Sequence, residues 1–224
     1  MKTIYYLLLL CAVNCCACEK TPDGPTHVST PPKGPSVEEQ CRKRQFDYTQ
    51  QEGCDGQVYP NPVSSLYFLP FDIGASFSTG LTNCSSSYHA AGQPDQYAFD
   101  FDLPEEAPFT AARPGVVHSV EESEPSTGGG PGNGVVIDHG DQTYGIYLHA
   151  PKNGILVEVG DSVSRGDILG FVGRSGLAGY PHLHFIVVRG SPVYPYKGIP
   201  VSFKNVYPAD VILASHTRYT ACDP

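Results

Sequence analysis

Eight histidines stand at positions 27, 89, 118, 139, 149, 182, 184 and 216. His182 and His184 are the informative pair, two apart in YPHLHFIVV, a run rich in Phe, Ile and Val. In an extended strand that spacing turns both imidazoles to one face, about 7 Å apart, and Leu183 and Phe185 to the other. Two neutral imidazoles on a rigid element suit a metal centre. Buried without a metal or hydrogen-bond partners, they would be costly. A metal needs further ligands. SSSYHAAGQPDQYAFDFDLP supplies His89 in a polar loop, then a strand on which Asp100 and Asp102 share one face and Phe99 and Phe101 the other. A carboxylate beside imidazoles is a common zinc set. His149 ends the aromatic run TYGIYLHAP. Each segment alone also has a plainer reading, with Asp100 and Asp102 solvated and His89 an ordinary loop residue. His139, in IDHGD, reads as a turn residue and His118, in GVVHSV, as an exposed strand residue; His216 and His27 have no partners in sequence.

The elements that must position these groups read as short strands. From about residue 65 the chain alternates apolar runs with Gly, Pro, Asn or Asp: Ser65–Leu69, Gln96–Phe101, Gly115–Val120, Gly134–Asp138, Thr143–His149, Gly154–Val159, Ile168–Val172, His182–Val188 and Val201–Phe203. No window keeps a helical period over 12 residues. Residues 36–50 and Pro208–Ala214 are the two stretches that could each form a short helix, and 122–134 reads as a flexible loop. Gly 24 and Pro 21 among 224 residues, with only 17% charged residues, argue against a helical bundle, a coiled coil or a mostly disordered chain. The expected class is mainly β, a compact antiparallel sheet or roll with a groove. Lys+Arg 14 against Asp+Glu 23 gives net −9, with no basic stripe to neutralise phosphates, so no nucleic-acid partner is expected.

The first residues read as an address. Lys2 precedes Ile4, Tyr5, Tyr6, Leu7 to Leu10, Cys11, Ala12 and Val13, the charge-then-apolar pattern of a secretory signal. Ala17 and Cys16 before Cys18 resemble a bacterial lipoprotein cleavage site, so residues 1–17 are expected to be removed and Cys18 lipidated. Each buried lipid CH₂ contributes about 0.8 kcal/mol, enough for several acyl chains to hold a protein on a membrane. Residues 18–40, with five prolines and almost no apolar content, read as a tether. Four cysteines then remain, Cys41, Cys54, Cys84 and Cys222. An even number in an exported chain implies two disulfides, with three pairings open. Cys41–Cys54 with Cys84–Cys222 is the favoured pairing, the first closing a short loop worth roughly 3 kcal/mol. A four-thiolate zinc site is disfavoured, because no Cys-x-x-Cys pair occurs outside the signal.

Several motifs occur in a fixed order: DFDLP (Asp100 to Pro104), AARPGVV (Ala111 to Val117), GNGVVIDHG (Gly132 to Gly140), YLH (Tyr147 to His149), GDSVSRGDILGFVG (Gly160 to Gly173) and HLHF (His182 to Phe185). Together they resemble the LytM/lysostaphin-type zinc peptidases that cut peptidoglycan cross-links, peptidase family M23, over roughly residues 65–190. The commonest family pattern places the Asp four residues after the first His. Here Asp100 follows His89 by eleven residues, which leaves Asp95 and Asp102 as fallback carboxylates.

The resemblance implies a LytM-type β domain, read over 65–195; outside it, residues 41–64 are expected to form a disulfide-containing extension and 196–224 a C-terminal extension that packs on the domain. The resemblance also implies one catalytic zinc held by His89, Asp100 and His184, with His149 and His182 as catalytic histidines that do not hold metal. Three protein ligands leave a fourth position for water, the mark of a catalytic site. The implied activity is hydrolysis of peptidoglycan stem-peptide cross-links by a monomeric lipoprotein of the cell envelope, on the outer membrane in preference. The alternative is a non-enzymatic lipoprotein of the same fold that binds peptidoglycan or regulates an amidase.

Overall fold

A computed structural model describes residues 35–48, 53–128 and 130–223. The signal, Cys18, His27 and most of the tether lie outside the described residues. The short helix Val37–Arg42 starts inside the segment read as tether. The Ser36 side chain caps it by accepting from the Glu39 N–H, and Glu38 and Glu39 sit in its first turn, where negative charge is favourable. The other expected helix does not form. Over Pro208–Ala214 the buried Tyr219 takes the local polar groups instead: its hydroxyl donates to Asp210 Oδ2 at 2.6 Å and accepts from the Ala214 N–H at 2.8 Å. Tertiary hydrogen bonds here override local propensity.

The centre of the molecule is a six-stranded antiparallel sheet in the order Phe99–Phe101, Leu183–Arg189, Thr143–Ala150, Asn133–Asp138, Gly115–Glu121, Ser162–Val163. The expected runs Ser65–Leu69, Gly154–Val159 and Val201–Phe203 contribute only isolated bridges, Tyr67 to Phe203 and Ile155 to Gly170. A second, three-stranded antiparallel sheet joins Ser76–Ser78, Arg218–Ala221 and Val206–Tyr207. Its strands are too short to show in the sequence as apolar runs.

The two-residue alternation of strands sorts the central strand's side chains. Leu183, Phe185 and Val187 enter the main core beside Phe99, Phe101, Tyr147 and Phe203. Phe99, Phe101, Phe185 and Phe203 form a chain of ring contacts 5.1–6.1 Å between centroids, mostly edge-on or tilted. On the opposite face, Ile186 and Val188 join Ala98 and Ile146 in a smaller cluster. His182 and His184 continue that second face toward one end of the sheet.

The disulfides are Cys41–Cys222 and Cys54–Cys84, with Cα atoms 5.5 and 5.0 Å apart. This corrects the pairing favoured from sequence. The strand Arg218–Ala221 returns the C-terminus to the helix that carries Cys41, while Cys54 crosses to the loop that leads to His89. Nearness along the chain does not survive this folding. The Cys54–Cys84 bond spans 30 residues, a closure worth roughly 3–4 kcal/mol in the chain-entropy model. The paired substitution Cys54→Ser with Cys84→Ser should therefore lower the melting temperature by about 7–15 °C, read by circular dichroism without reductant. An unchanged melting temperature would deny the bond that role.

Candidate metal centre and active site

Asp100 and His184 face each other directly across an antiparallel strand pair, so their side chains leave the same face side by side. His184 Nδ1 lies 3.0 Å from Asp100 Oδ1. His89 arrives from a loop. Residues 80–84 run along the strand that bears Asp100, held by Gly80 N–H to Asp100 O (2.8 Å), Asp100 N–H to Leu81 O (2.9 Å), Asn83 Nδ2 to Ala98 O (3.0 Å) and Cys84 N–H to Gln96 O (2.8 Å). The chain then turns through Ser87, at φ 54°, into the single 3₁₀ turn Ser87–His89. This places His89 Nε2 3.3 Å from Asp100 Oδ1, and the ring is 1% exposed. One ligand atom from each of His89, Asp100 and His184 lies within 4.8 Å of the others. The eleven-residue gap in sequence is thus closed by the folded loop, and Asp100 is the carboxylate in the trio.

The fallback carboxylates fall elsewhere. Asp102 is half-buried and outside the trio, its carboxyl pushed up by burial. Asp95 stands on the far side of the His184 ring, Oδ1 3.5 Å from Nε2. His118 is exposed on its strand, and His139 Nδ1 pairs with the Pro114 carbonyl at 2.9 Å, both away from the trio.

His149 reaches the site only through an irregularity. Tyr147 lies in the main core, and Leu148, opposite His184, packs against the smaller cluster; regular alternation would send His149 back into the core. The register shifts at this point: Ala150 pairs with Asn133 and Leu148 with Gly134, which leaves His149 as the extra residue of a bulge at φ 78°. A non-glycine residue there costs about 1–3 kcal/mol and persists only where its surroundings over-determine it. The surroundings are polar and buried. Asn133 Nδ2 donates to Ala150 O (3.3 Å) and Glu124 O (3.0 Å), and Ser175 Oγ donates to the same Ala150 carbonyl (2.6 Å) and accepts from the Asn133 N–H (2.8 Å). Gly132, at φ 92°, leaves the room: a Cβ there would lie 3.2 Å from His149 Nδ1.

The backbone also sets the tautomers. His149 Nδ1 lies 2.8 Å from the Ser175 carbonyl and His182 Nδ1 2.9 Å from the Tyr180 carbonyl. A carbonyl only accepts, so each Nδ1 carries the proton and each Nε2 keeps its lone pair. His182 Nε2 is 3.6 Å from Asp100 Oδ1, and the His149 and His182 rings are 4.6 Å apart between centroids. The Tyr180 ring lies 4.6 Å from His182, tilted by 32°. Ser175, Asn133, Tyr180 and the bulge were not visible as site features in the sequence. The GNG of GNGVVIDHG is the one local signal of the bulge.

The electrostatics favour positive charge between the carboxylates. Burial alone would raise the Asp100 carboxyl, but hydrogen bonds from His184 and His89 hold it well below the usual range. Burial alone would lower His184, but Asp100 and Asp95 lift it to about 9. His149 behaves oppositely: burial, then the neighbouring His184 and His182, push it down to about 3. Burial also pushes His182 below the ordinary imidazole value. The pocket thus holds a trio whose field attracts a cation and, beside it, two imidazoles held neutral. Two nitrogens and one carboxylate oxygen suit a divalent ion of the zinc type.

Fold and site together define a metallohydrolase-like β domain. Residues 95–195 match the model of peptidase family M23. A curated relative, peptidoglycan DD-endopeptidase ShyA of Vibrio cholerae, is 40% identical over 105 residues, 46% of this chain and 23% of that protein. DD-carboxypeptidase/endopeptidase Mpg of Neisseria meningitidis is 31% identical over 97 residues, 43% of this chain and 21% of that one. The matched region spans under a quarter of the length of these relatives. Among solved structures, a point mutant of the catalytic domain of the prophage-encoded M23 protein EnpA from Enterococcus faecalis aligns with TM-score 0.47 and 25% identity, over 59% of this chain and 94% of that one.

Removing the side chain that braces the bulge tests its importance. Asn133→Ala should cost about 1–3 kcal/mol, the usual range for stranding buried polar groups. In a thermal melt this is a fall of a few degrees. The ¹⁵N shifts of His149 should change with it, and unchanged His149 shifts would separate the bulge from Asn133.

Proposed function

We propose that this chain is a zinc endopeptidase that hydrolyses peptide cross-links in peptidoglycan, with His89, Asp100 and His184 as metal ligands and His149 and His182 as the catalytic histidines. The observation that carries the reading is the convergence of all five side chains at one end of the sheet, the two non-ligand imidazoles each presenting an Nε2 lone pair. That completeness favours an enzyme over a wall-binding or amidase-regulating protein of the same fold.

When bound, zinc polarises a carbonyl and lowers the pKa of water to about 7. The chain's own groups do the rest. A neutral imidazole with its lone pair toward the site can take a proton from the attacking water and return it to the leaving amine. The second neutral imidazole, its Nε2 lone pair also turned to the site, accepts a hydrogen bond from the attacking water or the leaving amine and so orients it. The carbonyls of Ser175 and Tyr180 keep both rings in register, because rotation about Cβ–Cγ would break those hydrogen bonds. The exposed Tyr88, beside His89 in its 3₁₀ turn, and Tyr180, packed on His182, offer apolar surface for a peptide. The family resemblance, with a lipoprotein anchored at Cys18 on the outer membrane, suggests a D-alanyl-diaminopimelate cross-link as the substrate.

Incubation with purified sacculi tests the reading. His184→Ala should lose zinc, whereas His149→Ala and His182→Ala should keep it and lose about 10²–10⁴-fold in muropeptide release. Digestion at the normal rate by His182→Ala would remove that residue from the mechanism.

A pH profile tests the same assignment. A histidine whose pKa is lowered on folding stays neutral down to a lower pH, so His149, at about 3, does not titrate between pH 5 and 8. The acid limb then belongs to protons competing with zinc for its imidazole ligands; Asp100 and Asp95 lift His184 to about 9 before metal binds, so zinc affinity weakens steadily as pH falls. Activity should fall below about pH 6, and added zinc should move that limb to lower pH. A flat rate from pH 5 to 8 would contradict it.

A further inference from the structure

Asp95 is not a member of the metal trio, yet it faces one of its members. His184 turns Nδ1 toward Asp100, so its Nε2 points back into the protein. That nitrogen is buried, has no hydrogen-bond partner within ordinary geometry, and faces Asp95 Oδ1 at 3.5 Å, the long edge of such a bond. The Asp95 side chain is only 18% exposed. The Tyr196 hydroxyl donates to the same Oδ1. Tyr196 is itself fixed, packed against the cluster that contains Ile186, two residues beyond His184 on the same strand face. A chain of contacts therefore runs from the sheet through Tyr196 and Asp95 to the back of the His184 ring.

A neutral imidazole that gives its Nδ1 lone pair to a cation carries its proton on Nε2. In a buried site that N–H needs an acceptor. We propose that Asp95, braced by Tyr196, is a positioning residue that receives the Nε2 proton of His184 and so fixes the ring with Nδ1 turned to the metal. The assignment rests on the trio being a metal site. Asp95 acts through His184 and does not bind the ion, because its oxygen lies against the nitrogen that faces away from His89 and Asp100. Partners of this kind orient metal-bound histidines and raise their basicity, and their removal typically costs 10–100-fold in metal affinity.

The test uses the full chain and zinc alone, with dissociation constants from chelator competition and folding checked by circular dichroism of the metal-free forms. Asp95→Ala should weaken zinc binding 10–100-fold and move the ¹⁵N resonance of His184 Nε2. Asp95→Asn, whose amide oxygen still accepts, should recover part of the loss. Tyr196→Phe should lose less than Asp95→Ala, and the double variant no more than Asp95→Ala alone. Should Asp95→Ala not fold, Asp95→Asn and Tyr196→Phe still decide. Unchanged affinity and an unmoved resonance would overturn the proposal. So would a loss as complete as that of Asp100→Ala, since Asp95 would then be a ligand. Undiminished zinc binding by His184→Ala would instead overturn the metal-site reading beneath it.

Discussion

One buried carboxylate organises this molecule's chemistry. Asp100 sits in the middle residue of a three-residue strand, with phenylalanines on either side driven into the core and its own side chain turned the other way. Its Oδ1 lies within 3.6 Å of nitrogens from His89, His182 and His184. An ionised carboxylate taken from water is costly unless charge and hydrogen bonds compensate it, so these imidazoles and any bound cation are part of one electrostatic unit. The position of each histidine can be understood by how its segment is brought to that oxygen. His184 arrives by cross-strand register, His182 by the two-residue period of the same strand, His89 by a loop pinned to the neighbouring backbone, and His149 by a bulge.

These routes differ in what fastens them. The two histidines of the HLHF strand ride on an element whose other face carries Leu183, Phe185 and Val187 into the largest apolar cluster. Displacing them would require opening the core. His89 and His149 depend instead on polar fastenings: a disulfide and four backbone or amide hydrogen bonds in one case, the Asn133–Ser175–Ala150 network in the other. The site therefore joins a half anchored by the apolar core to a half held by polar fastenings.

The same two segments also set the electrostatic division of labour. Carboxylates on both sides of His184 attract positive charge to its ring, whereas His149 and His182 are capped by backbone carbonyls and held neutral by burial. Similar imidazoles a few ångströms apart thus acquire opposite proton affinities by environment alone.

The M23 motif order, the alternating strands and the His-x-His pair could be read from the chain directly, because strand periodicity is a local property that side-chain order encodes. Asp100 and Asp102 sharing a face, and Leu183 and Phe185 facing inward, follow from the same rule. What the chain order could not specify was which separated segments meet. The disulfide partners came out differently because Cys41 lies near Cys222, and Cys54 near Cys84, only after the C-terminal strand and the His89 loop have folded back. Asp95 is a fallback ligand on paper; cross-strand register sets Asp100 beside His184 in the trio, while the loop before that strand sets Asp95 behind the His184 ring. His149, odd in the alternation, belongs to the core by pattern and to the site by a bulge. Local periodicity fixes where a side chain points relative to its own strand, while long-range packing and hydrogen bonding fix what it points at.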